Sequence, residues 1–134
     1  MASICTEFFI EADAEQVWAV IGDWQNGPVD MAPGHVVSSL ADGSVRVVTF
    51  ADGQIVRERL VARDEPARRI VYSVIGDTVR PEHDNAVMHI IAEGPRRCRF
   101  VWSRDVLPDE LAPSLLSAME GAAPIIKRTL EGRE

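Results

Sequence analysis

The chain has 134 residues, 14 Lys plus Arg against 21 Asp plus Glu, a formal net charge of −7 and 46% apolar content. That balance predicts one globular domain spanning 1–134, large enough to bury about two thirds of its unfolded surface, and excludes two large domains. No run reaches the ~20 apolar residues of a membrane span, residues 1–7 lack the basic flank and apolar core of a secretory signal, and an acidic chain argues against nucleic acid and anionic membrane as partners, so a cytoplasmic location is expected.

Residues 3–11 read as a strand, with Ile4, Phe8 and Ile10 alternating against Cys5, Glu7 and Glu11. Asp13 follows as a helix N-cap with Gln16 as its capping-box partner. Val17, Trp18, Val20 and Ile21 make the apolar stripe of a short helix, which Gly22 and Asp23 end. Residues 26–34 are turn-rich, with one helical turn at 29–31. Strands follow at 35–40, 45–50 and 54–63, punctuated by Asp42-Gly43 and Asp52-Gly53; Asp-Gly between alternating apolar runs is a hairpin signal. The turn at 66–68 leads to a strand at 69–75. A polar loop at 76–84 precedes a strand at 85–93, and Gly94-Pro95 turns into a strand at 97–104. Pro108-Asp109 then opens a long helix, in which Leu111, Leu115, Met119, Ala122, Ile126 and Leu130 recur at helical spacing before Gly132. Pro124 lies inside that helix and predicts a kink, because it cannot donate to the carbonyl of Glu120.

This order predicts an α+β fold: a seven-stranded antiparallel curved sheet wrapped around a long C-terminal helix that covers its apolar face. A curved sheet gripping a helix leaves a wedge-shaped space, and such spaces are ligand sites. Alternation places Val56, Glu58, Leu60 and Ala62 on the inner face of their strand, because the opposite face carries Arg57, Arg59 and Arg63. Ile70, Tyr72 and Val74 share that face, as do Ala86, Met88, Ile90 and Ala92, and Cys98, Phe100 and Trp102. His89 points outward. Cys5 and Cys98 fall on opposite faces, so no disulfide between them is expected, and neither the cysteines nor the histidines show metal-ligand spacing.

The chain resembles the SRPBCC superfamily, whose START-like members share a helix-grip fold, and within it the polyketide cyclase/dehydrase branch. The resemblance rests on Glu11-Ala12-Asp13-Ala14-Glu15-Gln16-Val17-Trp18-Ala19-Val20-Ile21-Gly22-Asp23-Trp24, on Gly43-Ser44-Val45-Arg46 and on Asp52-Gly53-Gln54-Ile55-Val56-Arg57-Glu58-Arg59-Leu60. Tyr72-Ser73-Val74, Trp102 and the terminal helix complete it, over nearly the whole chain. It implies a hydrophobic cavity for a polyketide-like, steroid-like or lipid-like ligand. Some members cyclise or dehydrate polyketides, and others carry or sense ligands.

Glu58 is the sharpest candidate. A lone carboxylate on an apolar wall has its charged form disfavoured, which suits proton transfer in enolisation, aldol closure or loss of water; the alternative is a structural pair with Arg46 or Arg104. Tyr72 is either a hydrogen-bond donor to a substrate carbonyl or a core aromatic with its hydroxyl at the rim. His83, in the loop at the cavity mouth, is either an acid–base group or an exposed histidine. Arg104, Tyr72 or His83 would stabilise an enolate oxygen. Trp24 and Trp102 are apolar walls, and Met31, Met88 and Met119 flexible fillers, of either a ligand site or the core. Val56 lies on the inner face, and the small residues Gly121, Ala122 and Ala123 leave room against the sheet. The expected function is binding of a small hydrophobic molecule with cofactor-free cyclisation or dehydration; the alternative is a non-catalytic carrier or sensor. Neither cofactor nor metal is expected. The oligomeric state is monomer or homodimer, the latter through the exposed edge of strand 35–40.

Overall fold

The computed structural model describes residues 1–133. Strand β1 (Ala2–Ile10) precedes two short helices, α1 (Ala14–Ile21) and α2 (Gly27–Met31). Six strands follow: β2 (Val36–Asp42), β3 (Val45–Phe50), β4 (Ile55–Asp64), β5 (Arg69–Asp77), β6 (His83–Ala92) and β7 (Cys98–Leu107). A single 3-10 turn (Asp109–Leu111) leads into α3 (Ala112–Glu131). All seven strands join one antiparallel, curved sheet in the order β1-β7-β6-β5-β4-β3-β2. This is the helix-grip arrangement that the element order predicts. Gly43 and Gly53 turn the first two hairpins at φ of +61° and +93°, a left-handed backbone that explains why glycine follows each aspartate.

The period-2 pattern is obeyed where α3 covers the sheet. Val56, Glu58, Ile70, Tyr72, Val74, Ala86, Met88, Ile90, Cys98, Phe100, Trp102 and Arg104 are all buried. It fails at the ends. Ala62 and Ala92 are exposed where their strands run past the cover, and Val71, of the opposite parity, is buried next to an irregularity between Leu60 and Ala62. Strands β5 and β6 are longer than the polar composition of 76–84 suggests. Thr78 exchanges hydrogen bonds with Ile55, and the Glu82 N–H donates to the Leu107 carbonyl, so pairing consumes both ends of the expected loop. Strand β7 likewise continues to Leu107. Asp13 caps α1 by accepting from the Glu15 N–H, and among the described residues Gln16 returns no bond.

Helix α3 is stapled to the end of β1. Lys127, the only lysine, donates from Nζ to the Phe9 carbonyl at 2.6 Å and to Glu131 Oε2 at 2.8 Å, and the same carboxylate oxygen accepts the Glu11 N–H at 2.9 Å. These bonds hold the Glu131 carboxyl below its usual range. Pro124 lies on the solvent side of α3, which continues through it; the undonated Glu120 carbonyl belongs to an exposed residue that water can reach. Cys5 is exposed on the outer face and Cys98 buried on the inner one, both free. Among the described residues no helix is long and apolar enough to cross a membrane.

Two glycines give opposite expectations. A Cβ at Gly22 would sit 2.8 Å from the Trp18 ring, which is itself held by a 2.7 Å bond from Nε1 to Glu65. At Gly121, in the middle of α3, a Cβ meets nothing within 4 Å. Urea denaturation should find Gly22→Ala less stable by about 1–3 kcal/mol and Gly121→Ala more stable by about 0.5–1 kcal/mol.

Candidate functional site

Between α3 and the sheet lies a cavity of about 180 Å³. Its roof is one stripe of α3: Leu115, Ala118, Met119, Ala122 and Ile126. That spacing keeps one helix face over the sheet, and the two alanines leave the room that larger side chains would fill. Pro28 and Met31 of α2 close one flank. The floor is the inner face of the sheet, where Val56, Val74, Met88 and Trp102 surround a group of polar side chains.

Those polar side chains form two ion pairs on either side of one phenol. Arg46 and Glu58 stand directly opposite each other on β3 and β4, and Arg46 Nε donates to Glu58 Oε1 at 2.8 Å. Arg46 Nη1 also donates to the Trp24 carbonyl at 2.9 Å, and its guanidinium lies 3.8 Å over the Trp24 ring. On the other side, Arg104 Nε is 2.8 Å from Asp84 Oδ1, with the side chains 7% and 1% exposed. That contact is close but not aligned as a hydrogen bond, for neither atom has a hydrogen-bonding partner. The second Asp84 oxygen is committed to the Val74 N–H at 2.8 Å. The Tyr72 ring lies between, 5.3 Å from the Arg46 guanidinium and 5.8 Å from that of Arg104.

Tyr72 Oη accepts a 3.2 Å hydrogen bond from Trp102 Nε1, and among the described residues nothing accepts its own O–H. Burial pushes the phenol up to about 12; the two arginines oppose that rise, and Glu58 and Asp84 add to it. The phenol therefore stays protonated at neutral pH, as a standing donor toward the cavity. Burial raises Asp84 too, against the pull of Arg104 and of the Val74 N–H. Among the described residues no cluster of three or more His, Cys, Asp or Glu is placed to hold a metal ion. The arrangement can seat an apolar body under α3, offer donors to an oxygen, and present one carboxylate, Glu58, to the same space.

The structure brings Glu58, Tyr72, Arg104, Met31, Val56, Met88, Trp102 and Met119 to this cavity. Three expected residues stand elsewhere. His83 opens β6 on the outer face and is exposed, because its neighbour Asp84 takes the inner position opposite Val106. Trp24 packs on Arg46 rather than on the cavity. Ala123 is half-buried one step around α3, and Ala118 and Ala122 hold the lining positions instead. His35, edge-on to Phe50 with ring centres 5.7 Å apart, is the histidine that lines the wall. Asp84 is the residue that sequence reasoning missed. Extending the inward series Met88, Ala86 back by one more alternate position reaches it.

Residues 1–132 match the family model described as "Polyketide cyclase / dehydrase and lipid transport". A protein of known structure from Bacillus thuringiensis superposes with a TM-score of 0.84 at 20% identity, over 96% of this chain and 98% of that one. One from Thermobifida fusca gives 0.79 at 26%, over 98% and 91%. Norcoclaurine synthase from Thalictrum flavum, in complex with dopamine and hydroxybenzaldehyde, gives 0.70 at 20%, over 99% and 88%. No curated protein matches the sequence.

Because Tyr72 is the only tyrosine, its ionisation can be read directly at 295 nm. The folded protein should show the phenolate step at pH of about 12, against about 10 when unfolded. The sign follows: a raised pKa adds stability that is complete below pH of about 10 and is lost as pH rises toward about 12. A step near 10 in protein still folded by circular dichroism would contradict the burial of this phenol.

Proposed function

Because the chain belongs to the polyketide cyclase / dehydrase and lipid transport family, we propose that it binds a small, largely apolar molecule in the cavity between α3 and the sheet. The carrying observation is a cavity of about 180 Å³ with an apolar roof over a polar floor. The size limits the guest. An apolar cavity of roughly 150 Å³ accepts one benzene ring, whereas pockets for drug-sized ligands run to about 300–1,000 Å³. The space therefore suits a single ring with a small substituent, and the paired floor charges orient it. Calorimetric titration with toluene should show saturable binding to the wild type. Binding should be lost in Ala122→Phe and in Ala118→Phe, which fill the roof from a buried and an exposed position. Absent binding in the wild type, or equal binding in both variants, would refute this reading.

A second reading, proton transfer on the bound molecule, is favoured by one observation. Among the described residues only Arg46 donates to the Glu58 side chain, and only to Oε1, so the other oxygen is uncommitted on the wall that also carries the Tyr72 O–H. With Arg46 holding it in place, Glu58 would act as a base: it would take a proton from the carbon next to a substrate carbonyl, and Tyr72 would donate to the enolate oxygen that forms. The proton then returns to carbon or leaves with a hydroxide as water, and no cofactor enters the balance. Holding the substrate in a confined geometry would supply much of the rate. Deuterium exchange at the α-carbon of cyclohexanone, followed by NMR, tests it. Glu58→Gln keeps an acceptor for Arg46 and should slow catalysed exchange by about 100-fold or more while leaving toluene affinity unchanged. Equal exchange in the variant would remove Glu58 from the chemistry and leave a carrier.

A further inference from the structure

The two buried arginines differ in what they have left to give. Arg46 has Nε on Glu58, Nη1 on the Trp24 carbonyl and its plane against the Trp24 ring. Arg104 is also buried, at 7% exposure, yet among the described residues it makes no hydrogen bond. Its Nε touches Asp84 at 2.8 Å in a geometry that leaves both atoms unpartnered. The other Asp84 oxygen is held by the Val74 N–H, so Asp84 acts as a positioning group behind the guanidinium. A buried guanidinium nitrogen left without a hydrogen-bonding partner is costly, and Arg104 lines the cavity.

The register supplies the second half of the site. Ala86 on β6 lies opposite Tyr72 on one side and opposite Arg104 on the other. The phenol and the guanidinium thus stand on one row across three strands, roughly 10 Å apart at the backbone, with only a methyl group between them. Tyr72 and Arg104 both line the cavity, with the guanidinium 5.8 Å from the centre of the phenol ring, so one group seated on that row can meet both. A lone carbonyl oxygen would satisfy one of them. A planar group with two oxygens matches a guanidinium fork in pairs and leaves a lone pair for the phenol.

We propose that the molecule bound in this cavity is a single-ring carboxylate, its ring under Ala118 and Ala122 and its carboxylate held by Arg104 and Tyr72. This rests on the cavity-binding reading above and deepens it by naming the ligand's chemical class. Glu58, already matched by Arg46, stays outside the anion's grip.

Benzoate, its neutral isostere benzamide, and toluene separate carboxylate recognition from cavity binding by calorimetric titration at neutral pH. Benzoate should bind at least about 10-fold tighter than benzamide, as expected for a desolvated charge-assisted pair. Arg104→Gln alone would strand Asp84, so the test variant is Arg104→Gln with Asp84→Asn. It should abolish the preference for benzoate and leave toluene affinity within about two-fold. Tyr72→Phe, which preserves the shape of the floor, should weaken benzoate but not toluene, and it carries the test if the double variant does not fold. Benzamide or toluene binding the wild type as tightly as benzoate would overturn the carboxylate assignment and leave the cavity reading standing. A wild type that binds none of the three would overturn both.

Discussion

Four charged side chains, Arg46, Glu58, Asp84 and Arg104, are buried on the concave face of one sheet, and strand register is what makes that tolerable. An ion removed from water costs several kcal/mol unless a partner compensates it, and stripping a buried ion of its partner costs roughly 3–5 kcal/mol. Arg46 and Glu58 are direct cross-strand partners, so their contact and the β3–β4 pairing are one event. Asp84 ties three strands at once: it sits on β6, accepts from the backbone of β5 and faces Arg104 on β7. A slip of one residue would turn these groups outward and carry their neighbours in, since side chains alternate with period two. The same pairs that threaten stability therefore enforce one register.

The cavity follows from that floor. An entirely apolar inner face could collapse onto the helix, because hydrophobic side chains repack to close voids. Paired ions cannot be covered so freely, because each must keep its partner. Above them, Ala118 and Ala122 shorten the helix face at the point where space is needed. At its far end α3 is anchored by Lys127 and Glu131 to the last residues of β1. A roof pinned at one end, small in the middle, over a floor of fixed charges, leaves a ring-sized volume lined by both apolar surface and unmet donors. Tyr72 lies at the centre of that floor. Trp102 supplies its acceptor need, burial keeps its proton, and among the described residues nothing accepts that proton.

Much of this was legible from local pattern, and the misses share a cause. Alternation needs only the next two residues, so it correctly set Val56, Glu58, Tyr72, Met88 and Trp102 on one face. It failed where an element's length depended on its neighbour. Residues 76–84 read as loop by composition, yet cross-strand bonds at Thr78 and Glu82 extend β5 and β6 through its borders. That moved Asp84 into the core and His83 to the surface. Helical spacing likewise marked the buried stripe of α3. The choice between Ala122 and Ala123, however, depends on how the helix is rotated over the sheet, and Lys127 and Glu131 set that from the far end.

By itself the sequence determined the order of elements, the α+β class, the hairpin turns and which face of each strand meets the core, because propensity, turn chemistry and side-chain period act over a few residues. Only the tertiary structure decided that Glu58 pairs with Arg46 while Arg104 faces Asp84, that one phenol lies between them, and that about 180 Å³ remains open above. Those outcomes depend on the register of strands distant in the chain and on the seating of α3. A contact of a few ångströms between such strands has no counterpart in any local stretch of residues.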